Sequence, residues 1–363
     1  MKYLLLFINI LCVTRILAQD IHFTQNASST NLNPALTGII PGGYDWRVVA
    51  THRDQWTAVL GDGKYQTSLL GFERRFYAVK DDFWAIGGSI THDIAGQTPL
   101  RHLAGTVSAA YIKLLHESRG ARHYISAGAQ TGVTSLQFDP SVSTWSNQFT
   151  GENYNITLPS GEIFKNNVFE NQLYGDLSTG FAYHFLHDAR APLEATIPYA
   201  TIGFSLQHVG GWIKSSYYNA SVLDKNFFIQ PLWRVHGATL LNVMRSWYIM
   251  PTFVFSRQSQ ANELNLGLFL KTDWNTTNYE RLNALQVGMI ARAFSRTRLD
   301  AVAPTVRLDI ENFICGISYD LNISSLRHAS QFRGGFEFSL AYRAFLTDGN
   351  GRRRGRSTVI CRF

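Results

Sequence analysis

Alternation with a period of two is the feature that most constrains what this chain can become. In "ELNLGLFLK", Leu264, Leu266, Leu268 and Leu270 fall on one face, and Asn265, Gly267 and Lys271 on the other, with Phe269 the exception. In "GGFEFSLAYRAF", Phe336, Phe338, Leu340, Tyr342 and Ala344 oppose Gly335, Glu337, Ser339 and Arg343. "TIGFSLQH" sets Ile202, Phe204 and Leu206 against Gly203, Ser205 and Gln207. "FICGISYD" sets Phe313, Cys315, Ile317 and Tyr319 against Gly316, Ser318 and Asp320. Successive side chains of a strand point to opposite faces, so each segment reads as a strand with one apolar and one polar face. Fourteen segments read this way: 45–53, 65–76, 83–93, 102–114, 121–136, 173–186, 198–209, 231–242, 246–257, 262–272, 282–294, 303–310, 312–320 and 334–345. They recur roughly every 21 residues without helical periodicity between them, which argues against βαβ units.

Two architectures accept such strands, a stacked soluble sandwich and a membrane barrel. Three features favour the barrel. Many segments are longer than the usual strand and long enough to cross a bilayer at a tilt. The face opposite the apolar one carries Gly, Ser, Gln, Asn, Glu and Arg, which suits a polar lumen. Aromatic residues gather near strand ends (Tyr44, Trp46, Phe83, Trp84, Trp233, Trp247 and Phe345), as in interfacial girdles. The expected fold class is therefore all-β, a transmembrane antiparallel β-barrel of about 14 strands of outer-membrane type. Connections 54–64, 137–172, 210–230 and 321–333 are longer than most of those that alternate with them, which assigns them to the extracellular side. Connections 187–197 and 273–281 depart from that asymmetry. Segment 137–172, with Trp145, Phe149, Tyr154, Phe164 and Phe169, is long enough to fold as a lid or plug.

The first residues address location. Lys2 precedes an apolar run from Tyr3 to Val13, and Ala18 is a small residue before Gln19. This is the pattern of a secretory signal peptide, with cleavage expected after Ala18. The run is too short for a membrane anchor. The chain then divides into an irregular segment at 19–43, a barrel at 44–346 and a basic tail at 347–363. Asn33-Pro34 disfavours helix at Asn33 and presets the backbone at Pro34. Gly38 and Pro41-Gly42-Gly43 break the chain again. Such a segment would plug the barrel, dock a partner or serve as a linker. The formal charge is +7, and Arg352, Arg353, Arg354, Arg356 and Arg362 crowd the tail. No nucleic-acid module is visible. The tail fits an anionic protein, lipopolysaccharide or a partner near the peptidoglycan, or else stays solvated. After the signal, two cysteines remain, Cys315 and Cys361, too few to define a disulfide framework.

No catalytic pattern emerges. His184 and His187 form H-x-x-H, but on a strand residues three apart face opposite sides. Gly61-Asp62-Gly63-Lys64 is a turn rather than a phosphate loop, and there is no G-x-S-x-G. Cofactor-binding, metal and catalytic residues are accordingly expected to be absent.

Specific residues at both ends carry a family resemblance. "QDIHFTQNASSTNLNPALTG", Gln19 to Gly38, resembles the mature start of the PorP/SprF family, outer-membrane proteins of the Bacteroidota type IX secretion and gliding-motility system. Leu32 to Gly38 match its "LNPALTG" element in full, while Thr24 stands where Ser is usual. "RVVATHRDQW" is similar to the family's first strand, with Arg53, Gln55 and Trp56 at its end. "YDLNISSLRHAS" followed by "GGFEFSLAYRA" resembles the penultimate loop and last strand. The terminal "ICRF" is similar to a family ending in which Pro often follows the Cys, and that Pro is missing.

The resemblance implies an outer-membrane barrel that binds rather than catalyses. Its partners would be type IX machinery subunits, a secreted adhesin's C-terminal domain, or both, alongside outer-membrane lipid. The implied partner or plug residues are Leu32, Asn33, Pro34, Gly38, Arg53, Gln55, Trp56, Tyr319, Asp320, Asn322, Ser324, Ser325 and Leu326. Phe345 and Phe363 are candidates for the C-terminal aromatic that marks a barrel for assembly. Two alternatives stay open at this point, a porin-like channel on the same barrel and a soluble surface-adhesin sandwich.

Overall fold

The computed structural model describes Phe23 and residues 28–40, 44–55, 64–77, 82–96, 100–118, 121–138, 144–159, 170–186, 199–213, 215, 217, 228–244, 246–274, 283–294, 298–324 and 327–346. Fourteen antiparallel strands form a closed barrel in which each pairs with its sequence neighbours and β1 closes on β14. They are β1 Trp46–Gln55, β2 Lys64–Tyr77, β3 Phe83–Gly96, β4 Leu100–Ser118, β5 Ala121–Phe138, β6 Glu170–Leu186 and β7 Tyr199–Gln207. The circuit continues with β8 Leu232–Met244, β9 Trp247–Gln258, β10 Ala261–Trp274, β11 Asn283–Phe294, β12 Arg298–Ile310, β13 Phe313–Asn322 and β14 Arg333–Ala344. Closure leaves no strand edge, the condition for placing a sheet in hydrocarbon. The soluble sandwich is thereby excluded.

The alternation reports which solvent each face meets. Leu266, Leu268 and Leu270 are about half exposed, while Lys271 on the opposite face is buried. Phe336, Phe338 and Leu340 likewise point out, and Glu337, Ser339 and Arg343 point into the barrel and are buried. This inverts the water-soluble pattern, because the medium outside is lipid. Phe269, the exception, is 6 % exposed and lies against Gly267 and Gly288, whose missing side chains admit its ring.

Several strands outrun their sequence-based limits. Strand β12 starts at Arg298 rather than 303, because Leu299 and Ala301 still pair with β11 across a register shift at Arg292/Ala293. That shift interrupts the alternation. Pro304 lies within β12, at a point where the ladder to β13 skips from Val302 to Thr305, so its missing N–H costs no bond there. Strand β13 likewise runs on to Asn322.

The rim at the start of β1 and the end of β14 carries the short turn 311–312. The opposite rim carries the connections after β5, β7 and β13. Segment 144–159 does not enter the barrel. It closes on itself through a Phe149–Tyr154 bridge and a Gln148 side chain bonded to the Leu158 carbonyl, and most of it is exposed. The lumen is instead crossed by Ser28 to Ile40, in which a short helix α1 (Ser29–Leu32) and a 3-10 turn (Pro34–Leu36) flank an extended Asn33.

Candidate functional site

Asn33 organises the lumenal segment. As the residue before a proline it is extended, at φ −157° and ψ 121°. Its Oδ1 accepts the Ala35 N–H at 2.9 Å, capping the 3-10 turn that Pro34 opens. Its Nδ2 lies within hydrogen-bond reach of the carbonyls of Phe181 on β6 (3.1 Å) and Phe204 on β7 (3.2 Å) and of Nε2 of His236 on β8 (3.0 Å), sharing its two hydrogens among them. One amide thus ties the segment to three strands.

The neighbouring residues extend these bonds in both directions. Toward the rim opposite the termini, the Asn31 carbonyl accepts from Gln207 and Arg234, both at 2.8 Å, and the Leu32 carbonyl accepts from Ser205 Oγ. Toward the terminal rim, Thr37 Oγ1 donates to the Pro34 carbonyl at 2.7 Å and shares a hydrogen bond with Ser108 Oγ at 3.0 Å. The Gly38 N–H donates to Glu73, which also pairs with Arg47, and Arg47 reaches back to Ser29 Oγ at 2.8 Å. Between these polar anchors, Leu32, Ala35, Leu36 and Ile39 pack with Phe83, Ile112, Tyr124, Leu240, Met250 and Phe269 in one apolar cluster. Phe23 joins a second cluster with Val49, Leu69, Ile314 and Ala341.

Glycines shape the wall to receive the segment. A Cβ on Gly128 of β5 would fall on the Pro34 carbonyl, and one on Gly180 of β6 on Asn33 Oδ1. On Gly203 of β7 it would strike His236 and Asn33, and on Gly87 of β3 it would lie 2.7 Å from Ser108 Oγ. Gly38 itself adopts φ +76° and presses on Ala85, so both its conformation and its contact require glycine.

A second group lies across the lumen. Arg53 of β1 donates to Glu337 of β14 at 3.0 Å and to Asp320 of β13 at 2.5 Å, and Arg292 of β11 meets Asp320 at 2.8 Å. All four side chains are at most a tenth exposed. Opposite charges face one another here, with Glu263 and Asp300 also acting on Arg292, in a cluster whose members would be costly to bury singly. Toward the terminal rim, a separate group has Asp309 paired with Arg307 at 3.2 Å and 3.8 Å from Arg343.

The structure thus brings Leu32, Asn33, Pro34 and Gly38 into the lumen and joins Arg53 to Asp320. Gln55 ends β1 opposite Gly335. Asn322 and Ser324, at the rim end of the charged group, tie down the β13–β14 connection. The Asn322 side chain donates to Ser330 Oγ and the Arg333 carbonyl, and the Ser324 N–H donates to the Asp300 carbonyl. Tyr319 points outward and is 38 % exposed, because it shares the apolar face of β13. Phe345 stacks on Tyr44 at 4.4 Å, where the first and last strands meet. Trp56, Ser325, Leu326 and Phe363, like His187 and Cys361, lie outside the described residues.

Sequence reasoning missed Glu73, Ser108, Gly128, Gly180, Ser205, Gln207, His236, Arg292 and Glu337. Their shared signal is polarity or glycine on the lumenal side of an alternating strand. It also missed a nucleophile–base geometry, with Ser126 Oγ 3.0 Å from His184 Nε2 and His184 Nδ1 3.0 Å from Thr201. Ser126 is 1 % exposed and His184 fully buried, so the pair is closed off from solvent in this structure. Among the described residues, no group of three or more His, Cys, Asp or Glu could hold a metal ion.

A closed 14-stranded wall with a lipid-facing apolar exterior and a packed polar interior defines an outer-membrane β-barrel. Residues 16–342 match the family described as type IX secretion system membrane protein PorP/SprF. The chain belongs to that family, a secretion component of the outer membrane rather than an enzyme class. No curated protein matches it. Among solved structures, it is similar to a bacterial polysaccharide outer membrane secretin, with 8 % identity and a TM-score of 0.34 over 83 % of this chain and 99 % of that one. The β domain of the Bordetella autotransporter BrkA shows 11 % identity and a TM-score of 0.36 over 84 % and 99 %. CdiB from Acinetobacter baumannii shows 7 % and 0.37 over 82 % and 60 %.

Proposed function

We propose that this barrel is a plugged, non-enzymatic binding component of the type IX machinery, which holds a secreted adhesin's C-terminal domain or machine subunits through its loops and termini. The observation that supports it is the lumen. Ser28 to Ile40 cross it, bonded to β2, β4, β6, β7 and β8, and two cavities beside the segment measure about 110 and 100 Å³. A solute channel needs a continuous wet path, whereas a binding protein needs exposed surface. Phe149, Tyr154, Ile156 and Leu158 on the β5–β6 connection, with Trp212 and Ile213 after β7, are exposed on the long-loop side.

The test is an affinity purification of the tagged chain from native outer membranes, with and without crosslinking, followed by mass spectrometry. Type IX subunits or one large secreted adhesin should co-purify, and replacing Phe149, Tyr154 and Ile156 by Ser should remove an extracellular partner. A solitary barrel that conducts ions in planar bilayers would contradict the proposal and favour the channel.

A further inference from the structure

The outer wall carries a feature that the lumenal segment does not use. On the lipid side of β2 to β5, Gly88 and Gly105 leave a notch bounded by Phe72, Ile90, Val107 and Val133 and, at its β6 end, by Tyr217 of the β7–β8 connection, a groove of about 680 Å³. Cross-strand register makes it continuous, since Phe72 stands opposite Gly88, Gly88 opposite Val107, Ile90 opposite Gly105 and Gly105 opposite Val133. A Cβ on Gly105 would meet nothing within 4 Å, so this glycine answers no need of the barrel itself. The same row ends on β6 at Gly175, opposite Val133. There the chain fills the equivalent notch with its own Tyr217, whose ring occupies the space a Gly175 side chain would take.

The surroundings indicate what fills the open notch. It faces the bilayer, in the half of the wall nearer the long-loop rim. Four residues along β4, about 13 Å up the strand, Arg101 stands on the same outward side and is exposed, with no ion pair among the described residues. A cation at headgroup height above a notch of side-chain depth fits one amphiphile, an anionic lipid with its phosphate on Arg101 and one acyl chain along Gly105 and Gly88. Lipid tails are as apolar as the wall, so the selectivity comes from close packing and from charge. We infer that this groove is a specific seat for an anionic lipid of the extracellular leaflet.

The test uses the full-length barrel in phosphatidylethanolamine nanodiscs doped with lipid A, with retained lipid measured by native mass spectrometry. Wild type should retain lipid A in preference to phosphatidylethanolamine. Arg101→Glu should lower retention at least about five-fold, the factor corresponding to the ~1 kcal/mol of one basic residue at an anionic surface. Gly105→Leu, which fills the notch and leaves Arg101 in place, should lower it to a similar extent. Both side chains point outward, and heat-modifiable migration reports that each variant is folded. Equal retention by wild type and Gly105→Leu would overturn the inference, as would release of a protein rather than lipid by Gly105→Leu in native membranes.

Discussion

The two sides of the lumen are built on opposite rules. From β3 to β8 the wall removes side chains. Gly87, Gly128, Gly180 and Gly203 face the Asn33–Thr37 stretch, and small hydroxyls such as Ser108 and Ser205 bond to it. From β11 round to β1 the wall supplies long charged side chains, and Arg53, Arg292, Asp320 and Glu337 fill the space by pairing with one another. A polar interior can therefore be packed by a foreign segment that needs room or by side chains that need counter-charges. The first solution depends on shape and the second on charge balance.

Substitutions separate the two rules. The largest effect is expected at Gly128→Val, where the obstacle is the Pro34 backbone and cannot swing aside. It should cost more than about 3 kcal/mol, read as loss of heat-modifiable migration or as protease cleavage between Ser28 and Ile40. A wild-type response would show that the segment is not held against this wall.

On the charged side, Arg53→Met strands Glu337 and half of the Asp320 pairing, for about 3–5 kcal/mol. Adding Glu337→Leu should recover most of that loss, because Arg292 still balances Asp320. Urea midpoints in lipid vesicles for the two single variants and the double variant give the coupling directly. Additive losses would break the charge-balance account.

Asn33→Ala leaves the Ala35 N–H and two strand carbonyls without their partner, worth about 2–3 kcal/mol in total, and the same midpoints measure it. The smallest effect is expected at Gly105→Ala, within about 0.5 kcal/mol, since that glycine faces open space outside. A large loss there would mean that outer-wall glycines also serve the fold.

How much of this was legible in the sequence follows from range and from solvent. "GGFEFSLAYRAF" reveals its strand because lipid and lumen demand opposite residues at every step, and nothing distant enters that argument. Phe269 defeats the same reading, since its inward turn depends on Gly288, a partner known only once β10 and β11 are in register. The breaks at Asn33-Pro34 and Gly38 are local chemistry and were readable as an irregular segment. Its address was not, because Asn33 meets Phe181, Phe204 and His236 from about 150 to 200 residues away. The resemblance singled out Arg53 and Asp320 without their common purpose, which appears only when β1 closes the circuit beside β13 and β14.

The account stands or falls on where Ser28 to Ile40 lie in the membrane-embedded protein. The most direct measurement is a disulfide trap between Thr37→Cys and Ser108→Cys, whose native hydroxyls are 3.0 Å apart, in a background in which Cys315 and Cys361 are both replaced by Ser. Oxidation in outer membranes should link the N-terminal segment to β4 in one peptide pair found by mass spectrometry. A heat-modifiable, fully folded barrel in which that pair never forms would contradict it.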